Sequence, residues 1–593
     1  MVLYLYLLNI MSCDKLVFDL SQEVEGSPNV FIRKDWINIL DNQNQNYQNN
    51  QSIIDTSQLA NSNKYMAYRE AYLAVPLLLS MRTAPSNGAS VTPSEYAFGL
   101  KNWFGSIIHS MTLDYNGTTI IQQTPFCNMW NSFKLLTTLS WADVVTQGPT
   151  IGFYPDTPDS FKYSNVANIN GLSFSNNDMA LVSTSTAQLT TNRYSQYLNT
   201  NALGGNIGAT YRTKWIAYNP SASLETSDYG TQCLTSANAS LIWKSHVSKK
   251  TASGAVATQT GILQISVMAT IYLKHLHSFF NMVPLLKGVF MKLTMNLNNS
   301  RVDIDYTVGN TLSCASSQSY VGGVQPILVP SLVTGNDASV DNAANGKIYY
   351  DLVVGATCYN SDITTQVLAS PAADVGKVSK SIYLYVPAYT FNPTFEQAYL
   401  SNPTKQIKYT DIYQYNVRDI QGAAAGGQFN NLITNGIANI KSVLIIPFYS
   451  EPIKTGDTVG PLQFMSPFDT AGCGTTAEMA SIGNFNVQIS GQNAIYNMQR
   501  YTFEEWNNQL YGQNAVNGGL TDGLTSGLID FTGFQTSYAY YYVNVERMLP
   551  VEQSVPKSVQ ILGTNYSQKS LNLWVFIEYG VQITVDVLTG ARV

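Results

Sequence analysis

Two histidines one residue apart, His275 and His277, are the most suggestive chemical groups in this sequence. On a β-strand, alternate side chains share one face, so both imidazoles would project together and could form half of a zinc site. No Cys or Asp nearby in the sequence offers a third ligand. We therefore interpret the pair as an ordinary strand end and predict no metal site.

The candidates for acid–base catalysis are weaker still. His109 lies inside an apolar strand pattern, which favours an interior or interface histidine. Glu504 and Glu505 form a carboxylate pair, but side chains at adjacent helical positions diverge by roughly 100°. Thr502 and Glu505 also have the spacing of a helix capping box, in which the Glu505 side chain would bond to the backbone at the start of the helix. We predict no catalytic residue.

Motifs that bind phosphates or activate nucleophiles are absent from the sequence. A Walker loop needs Ser or Thr after Gly-Lys, but the pairs at 346–347 and 376–377 are followed by Ile348 and Val378. There is no GxGxxG, GxSxG or HExxH motif. The six cysteines contain no CxxC pair; they are Cys13, Cys127, Cys233, Cys314, Cys358 and Cys473. The sequence therefore predicts no cofactor and no enzymatic activity.

Tryptophans could stack on sugars, as they do in carbohydrate-binding sandwiches. The candidates are Trp103, Trp130, Trp141, Trp506 and Trp574. All of them fall in predicted strands or helices, where tryptophan is more often part of a core or an interface. We predict structural roles for them.

Composition predicts a β-sheet protein without a nucleic-acid surface. Only 12% of the 593 residues are charged, against about 25% in typical domains, while aromatics reach 12%. Neutral polar residues must cover the surface, which suits β-sheets that face water or other subunits. The net charge is -6, and the densest basic run, Lys249-Lys250, is expected at a solvated loop tip. We predict no sequence-specific binding of nucleic acid.

The first ten residues, MVLYLYLLNI, are apolar but lack a basic leader and a small-residue cleavage site. We predict no secretion signal, and Met11 is an alternative start. The segment is also too short to span a bilayer, and the sequence leaves membrane contact open.

Strand patterns position the residues named so far. Residues 262–273 alternate, with Val267, Ala269 and Ile271 on one face and Met268 on the other. Residues 570–588 alternate over a length that exceeds one straight strand, so a bend or break is expected near Gly580. Ile583 is predicted to point into the core and Thr584 away from it.

Two passages far apart repeat one order of elements. Residues 110–131, SMTLDYNGTTIIQQTPFCNMWN, and residues 484–507, NFNVQISGQNAIYNMQRYTFEEWN, each predict strand, glycine turn, strand and a helix that carries Trp-Asn. Thr124 and Pro125 are expected to start the first helix. We interpret the repeat as tandem duplication of an eight-stranded β unit.

Composition also suggests the domain organisation. The polar, low-complexity stretch 41–63 predicts an N-terminal arm over residues 1–60. A first unit follows over 61–358, with a long loop insertion at about 152–260. A Ser/Ala/Asp/Gly-rich linker is expected at 359–378, and a second unit over 379–593.

Several stretches resemble the major capsid proteins of virophages and polinton-like viruses. In the first half these are YREAYLAVPLLLSM, GLKNWFGSIIHSMTLDYNGTTIIQQTPFCNMWNSFKLLTTLS and IYLKHLHSFFNMVPLLKGVFMKLTMNLN. In the second half they are AYTFNPTFEQAYLSNPTKQIKYTD, GGQFNNLITNGIANIKSVLIIPFYS and QISGQNAIYNMQRYTFEEWNNQLYG. The resemblance spans nearly the whole chain beyond the predicted arm.

The resemblance implies an all-β double jelly roll: two tandem eight-stranded antiparallel sandwiches with long inserted loops and a few short helices. It also implies a homotrimeric capsomer of near-hexagonal outline that tiles an icosahedral shell. Self-association, penton and minor capsid proteins as partners, and a place in the virion shell follow from it. Family members carry no active site, so none is expected here.

Two other readings remain open. An extracellular carbohydrate-binding or glycosidase sandwich would have a secretion signal and exposed aromatics beside paired carboxylates. A viral fibre or receptor-binding protein would show a fibrous repeat.

Overall fold

The computed structural model describes most of the chain in thirteen segments. These are residues 29–85, 99–155, 248–250, 262–307, 311–319, 326–328, 346–359, 377–422, 427–450, 482–495, 501–515, 528–546 and 554–592, less positions 44, 46, 48–49, 101, 123, 154, 532–533, 535–537, 539 and 568–569. Most of the predicted insertion at 152–260 and of the predicted linker lies outside the described residues, as does Met11.

Seventeen of the described strands precede residue 392. They are β1 (Phe31–Leu40), β2 (Gln51–Asp55), β3 (Tyr65–Met66), β4 (Tyr72–Pro85), β5 (Gly99–Leu100), β6 (Ile108–Tyr115), β7 (Thr118–Ile121), β8 (Ser248–Lys250), β9 (Ile262–Tyr272), β10 (Met291–Leu297), β11 (Ser300–Thr307), β12 (Thr311–Ser319), β13 (Ile327–Leu328), β14 (Gly346–Val354), β15 (Ala356–Tyr359), β16 (Lys377–Ser379) and β17 (Tyr383–Phe391). Lys249 and Lys250, expected in a loop, belong to β8, which pairs with β9.

Eight further strands and the helices complete the described structure. The strands are β18 (Thr404–Ile420), β19 (Gln428–Ile437), β20 (Ile440–Tyr449), β21 (Ile482–Ile489), β22 (Gln492–Asn493), β23 (Tyr541–Asn544), β24 (Lys557–Asn565) and β25 (Leu571–Asp586). The α-helices are α1 (Ser57–Ala60), α2 (Cys127–Thr138), α3 (Trp141–Thr146), α4 (Gly148–Ile151), α5 (Leu273–Leu276), α6 (Phe279–Met282), α7 (Pro393–Leu400) and α8 (Phe503–Ala515). Within the described segments, no helix has the length and apolar character needed to cross a membrane.

The last eight strands form a jelly roll, which we call the second sandwich. One sheet has the order β18-β25-β20-β23, and the other has the order β19-β24-β21-β22. Counted within this unit, the first sheet contains strands one, eight, three and six, in that order. The facing sheet contains strands two, seven, four and five. This is the strand order of a jelly roll, in which neighbouring strands are mostly distant in the chain.

The same order recurs earlier in the chain, in what we call the first sandwich. There β1, β17, β4 and β9 are neighbours in one sheet, and β2, β10, β6 and β7 form the other. The later part of β4 also pairs with β14, which extends that sheet through β11 and β12. The double jelly roll predicted from the sequence is therefore confirmed.

The two hairpins that carry the sequence repeat have the same turn. Asn116 and Gly117 have φ of 46° and 80°, and Ser490 and Gly491 have φ of 50° and 83°. Two consecutive positive φ values belong to the hairpin turn whose twist matches that of its strands, and glycine adopts the second at little cost. Each hairpin, β6–β7 and β21–β22, leads to a helix with tryptophan at its fourth position.

Strand pairing corrects the predicted domain boundaries. β1 and β2, inside the predicted arm, are the first two strands of the first sandwich: β1 pairs with β17 and β2 with β10. β17, placed by the sequence in the second unit, is the eighth strand of the first. The pairing thus argues for a division at α7. Composition misled because it reports local polarity, whereas membership of a sheet depends on distant partners.

The predicted alternation is confirmed in both sandwiches. Of the bend or break expected near Gly580, the break is wrong, because β25 is one strand from Leu571 to Asp586. Val267, Ala269 and Ile271 are buried, and so is Ile583, while Thr584 is half-buried.

β25 runs unbroken through Gly580, which pairs with Thr410 on β18. A Cβ at Gly580 would lie 2.3 Å from the side-chain nitrogen of Asn439. The glycine therefore makes room for Asn439, whose side-chain amide donates to the Gly580 carbonyl at 3.2 Å.

Candidate functional site: the seam between the two sandwiches

Helix α2 lies between the two sandwiches, and we call this region the seam. Nine of its residues are buried, including adjacent positions from Cys127 to Phe133. A helix buried all round must pack against partners on every side. Towards the first sandwich, the side-chain amide of Asn128 donates to the Ser106 carbonyl at 3.1 Å. Trp130 and Phe133 contact the second sandwich.

Aromatic rings join α2 to the outward face of the sheet β18-β25-β20-β23. The ring of Phe133 lies 5.1 Å from that of Tyr540 and 5.5 Å from that of Tyr542, and Trp130 lies 6.2 Å from Phe576. Phe576 points away from the core of its own sandwich, yet its exposed fraction is 0%. The helix thus converts the outer face of this sheet into an interior surface.

An ion pair with a buried carboxylate crosses the seam beside these rings. The Lys134 ammonium lies 3.1 Å from Oε1 of Glu578 on β25, and the Ser442 hydroxyl donates to Oε2 at 2.8 Å. Burial acts to raise the pKa of Glu578, but the Lys134 charge and the Ser442 hydrogen bond outweigh it and hold that pKa below its ordinary value. Glu578 is therefore an anion held in place by partners from both halves.

His277 and Asp411 form a second polar contact across the seam. The Phe279 amide donates to Nδ1 of His277 at 3.2 Å, which leaves Nε2 to donate to Asp411 Oδ1 at 3.3 Å. The Tyr579 hydroxyl also donates to Asp411, at 3.4 Å, and the Ile412 amide does so at 2.8 Å. Asp411 is thereby fixed by its own sheet and oriented towards the first sandwich.

A His–Asp pair next to a serine raises the question of a catalytic triad, which requires the hydroxyl to bond to the imidazole. The Ser278 hydroxyl instead donates to the Thr410 carbonyl at 2.5 Å and accepts from the Thr410 amide at 2.9 Å. In the described structure these groups join backbone and side chains of the two halves to one another.

His275 does not accompany His277 as the strand pattern suggested. It lies on the short helix α5, whereas His277 follows the end of that helix, so the shared strand face was a wrong expectation. The ring of His275 contacts Trp103 and Tyr272 edge-on, at 6.1 and 6.0 Å. Burial, with a smaller effect of Lys274, lowers the pKa of His275 to about 4. No three His, Cys, Asp or Glu side chains converge as metal ligands among the residues described.

Hydrogen bonds to backbone carbonyls also cross the seam. The Thr124 hydroxyl donates to the Ile412 carbonyl at 3.1 Å, and the Tyr409 hydroxyl donates to the Ile120 carbonyl at 2.8 Å. Thr124 was expected to cap α2, but the helix begins at Cys127 after Phe126 in a left-handed conformation. The threonine acts between the halves rather than within the helix.

The C-terminal end of the chain adds a further contact. The side-chain amide of Asn116, in the first hairpin turn, donates to the Gly590 carbonyl at 2.6 Å, and its carbonyl accepts from the Phe290 amide at 2.9 Å. The Lys287 amide donates to the Val587 carbonyl at 3.1 Å. The last strand of the second sandwich therefore ends on the first.

A pocket of about 440 Å³ that is open to solvent on one side lies at the seam. Its lining mixes cationic and anionic groups, including Arg69, Lys134, Lys274, Asp411 and Glu578. Two of these, Lys134 and Glu578, are already paired with each other.

The remaining predicted residues fall into structural positions. His109 is half-buried with its ring 5.1 Å from Phe126, which in turn contacts Trp574 at 5.9 Å, so it lies at the interface, as predicted. The Glu505 amide donates to the Thr502 hydroxyl at 3.4 Å, half of the predicted capping box.

The tryptophans differ in burial. Trp103, Trp130 and Trp506 are buried, Trp574 is half-buried at the seam, and Trp141 is exposed. Trp36, which the sequence placed in an arm and did not single out, is also exposed. Its position on a sheet could not be read from its polar surroundings.

No protein-family model matches the sequence, and a search of curated proteins finds no match. Among solved structures, a chain in the cryo-EM structure of the Sputnik virophage is 11% identical, with a TM-score of 0.43, over 97% of this chain and 90% of that chain. The mavirus major capsid protein is 9% identical, with a TM-score of 0.42, over 97% and 92%. The Faustovirus major capsid protein is 8% identical, with a TM-score of 0.39, over 95% and 92%. Identity at this level leaves the strand order as the basis for the fold assignment.

Proposed function

We propose that this chain is a structural virion protein, the major capsid protein of a double jelly roll virus. Three copies form a capsomer of near-hexagonal outline, and such capsomers tile an icosahedral shell. The observation that carries the proposal is the duplicated jelly roll whose two copies are joined by a buried seam. The sequence resemblance to virophage and polinton-like capsid proteins points the same way.

A tandem repeat of one unit suits a lattice position with six neighbours. A contact that joins the front of one unit to the back of the next closes into a ring when the rotation permits it. With two units in each chain, three chains supply the six units of a pseudo-hexagonal ring. This arithmetic favours a homotrimer over a dimer or tetramer.

The seam supports a role as a building block. It combines aromatic packing, the Lys134–Glu578 pair and hydrogen bonds between side chains and distant backbone. Such contacts hold two sandwiches in one arrangement, which a subunit that must fit a lattice requires. Under this proposal the polar groups of the seam bind the halves together and catalyse nothing.

The proposal assigns the protein to the virion shell, with other copies of itself as the main partner. Penton and minor capsid proteins would contact the capsomers at the vertices and between them. Both assignments rest on the capsid proposal.

Light scattering and negative-stain microscopy of the purified protein test the proposal. We expect three chains of 65.2 kDa, about 196 kDa in total, with a hexagonal outline. An interface of this kind usually buries more than about 2,000 Å², so the trimer should persist at nanomolar concentration. A monomer at every concentration, with affinity for a sugar on a glycan array, would contradict the proposal and favour the carbohydrate-binding alternative.

A further inference from the structure

The pocket at the seam has the size of a ligand site. Its volume of about 440 Å³ falls within the range of about 300 to 1,000 Å³ that is usual for small-molecule pockets. Residues of α2 and α5 line it on the side of the first sandwich, and residues of β18 and β25 line it on the side of the second. A molecule bound there would contact both halves of the chain.

The pocket has an apolar interior and a polar rim. Among its lining residues, Ile121, Leu135 and Leu276 are buried. Arg69 and Thr138, which also line it, are exposed. Pockets of this kind accept the apolar part of a ligand inside, while a few polar groups fix its orientation.

The lining carries more positive than negative charge. Three cations, Arg69, Lys134 and Lys274, against two carboxylates, Asp411 and Glu578, leave an excess of one positive charge apart from the histidines. Both carboxylates already accept hydrogen bonds, and Lys134 is paired with Glu578. In the described part of the chain, no carboxylate lies within salt-bridge distance of Arg69 or Lys274. These two cations are therefore available to an anion from outside.

The backbone holds the segments that carry these two cations side by side. Arg69 lies in the short helical turn before β4, and Lys274 lies on α5. The Leu273 amide donates to the Ala71 carbonyl at 3.0 Å, which joins the two segments. Guanidinium and ammonium groups form charge-assisted hydrogen bonds with carboxylates, so the pair suits one acidic group of a ligand.

Two buried polar atoms in the lining residues have no partner within the described structure. They are the side-chain nitrogen of Asn131, a residue that is 4% exposed, and Nε2 of His275. The pKa of His275 is about 4, so its ring is neutral at pH 7 and Nε2 either donates or accepts, according to the tautomer. A buried polar atom without a partner costs free energy, which a polar atom of a bound molecule would recover.

We infer that the seam pocket binds a small amphipathic carboxylate, of the chemical class of a medium-chain fatty acid. The carboxylate lies at the rim with Arg69 and Lys274, and the hydrocarbon part lies inside. A carboxylate matches the single excess charge, whereas a phosphate monoester would bring about two negative charges close to Asp411 and Glu578. Because the ligand contacts both sandwiches, it binds the folded chain and stabilises it. The site lies within one chain, so the inference does not depend on the proposed assembly.

Calorimetric titration of the full chain with octanoate tests the inference. Acetate carries the charge without the hydrocarbon, and octanol carries the hydrocarbon without the charge. We expect one octanoate per chain, bound at least about tenfold more tightly than either control, and a higher melting temperature at saturating octanoate. Acetate that binds as tightly as octanoate would indicate an adventitious ion only, and octanol that binds as tightly would exclude recognition of an anion. Either result, or no binding of octanoate, would overturn the inference.

The substitution Lys274→Met removes one of the two cations. We expect it to weaken octanoate binding at least about tenfold and to leave octanol binding unchanged. Lys287→Met is the matched control: the Lys274 ammonium lies 5.3 Å from the Tyr272 ring and the Lys287 ammonium 5.6 Å from the Tyr65 ring, but Lys287 does not line the pocket. An equal loss in both variants would mean that general surface charge attracts octanoate, which contradicts a specific site.

The substitution Thr138→Trp obstructs the rim from an exposed position on α2 and changes no charge. Octanoate binding should be lost, while circular dichroism shows an unchanged fold. Undiminished binding in a folded Lys274→Met or Thr138→Trp protein would place the octanoate elsewhere and overturn the inference. The capsid proposal is tested separately by the mass of the oligomer, which these variants should not change.

Discussion

The ammonium of Lys134 on α2 lies 3.1 Å from a carboxylate oxygen of Glu578 on β25, and the pair links the two sandwiches; 33% of the Lys134 side chain is exposed, but only 4% of the Glu578 side chain is. Glu578 is buried, and Ser442 donates a further hydrogen bond to it. Removing one partner would leave a buried charge without compensation, whereas removing both would not.

Because one third of the Lys134 side chain is exposed, we expect Lys134→Met to reduce the free energy of unfolding by about 1–3 kcal/mol, less than for a fully buried pair. The double variant Lys134→Met with Glu578→Met should recover most of that loss. Urea denaturation measures both. Lys441→Met is the control, because Glu546 is 33% exposed whereas Glu578 is 4% exposed, and the Lys441–Glu546 pair should therefore contribute less than about 1 kcal/mol. A small effect of Lys134→Met alone would show that Glu578 reaches solvent.

The pKa of Glu578 predicts a pH dependence. Because its pKa is depressed in the folded protein, its contribution is fully present above the unfolded pKa, near 4.5, and is lost as the pH falls through the folded pKa. Wild type should therefore exceed Glu578→Gln in stability at neutral pH, and the gap should narrow below about pH 5. Urea denaturation at several pH values measures this difference in the free energy of unfolding between wild type and Glu578→Gln. A constant gap would mean that the folded pKa of Glu578 is not depressed.

The paired hairpin turns predict equal costs for two distant substitutions. Gly117 and Gly491 have φ of 80° and 83°, and a Cβ at either position would meet nothing within 4 Å. Replacement of either glycine by alanine should therefore reduce the free energy of unfolding only through the strain of a positive φ, by about 1–2 kcal/mol in each case. Gly436→Ala is the control: its Cβ also meets open space, its φ is not positive, and alanine there should be neutral or stabilising. Thermal unfolding compares the three, and unequal losses at 117 and 491 would contradict the shared turn.

The assignment of β1 to the first sandwich is tested by adjacent residues. Ile39 is buried and points into the core, while Asn38 is exposed on the opposite side of the strand. Ile39→Asp should cost several kcal/mol because it buries an unpaired charge, and Asn38→Asp should have little effect on folding. Soluble yield and melting temperature distinguish them. Equal soluble yields and melting temperatures for the two variants would show that residues 31–40 form an arm and not a strand of the sandwich.

The sequence predicted the elements whose signals are local. Alternation located β9 and β25, and the Asn116-Gly117 turn located the first hairpin. It failed where an element depends on a distant partner. β1 contains the charged run Arg33, Lys34 and Asp35 near its start, and only its pairing with β17 reveals it as a strand of the sandwich.

The seam was even less accessible to sequence reasoning. Thr124 and Ile412 are 288 positions apart, and nothing local to either predicts their hydrogen bond. The sequence predicted that Trp130 lies in a core or an interface, but it did not predict that its partner is Phe576. A single sequence shows which residues tend to be buried, but it does not show which other residues they contact.

The position of α2 also affects how the protein is made. Trp130 and Phe133 emerge from the ribosome with the first half, but Phe576, which covers them, follows about 450 residues later. At the usual rate of 5 to 20 residues per second this interval lasts roughly 20 to 90 s. During that time the nascent chain carries an aromatic helix whose partners in the second sandwich have not yet been synthesised.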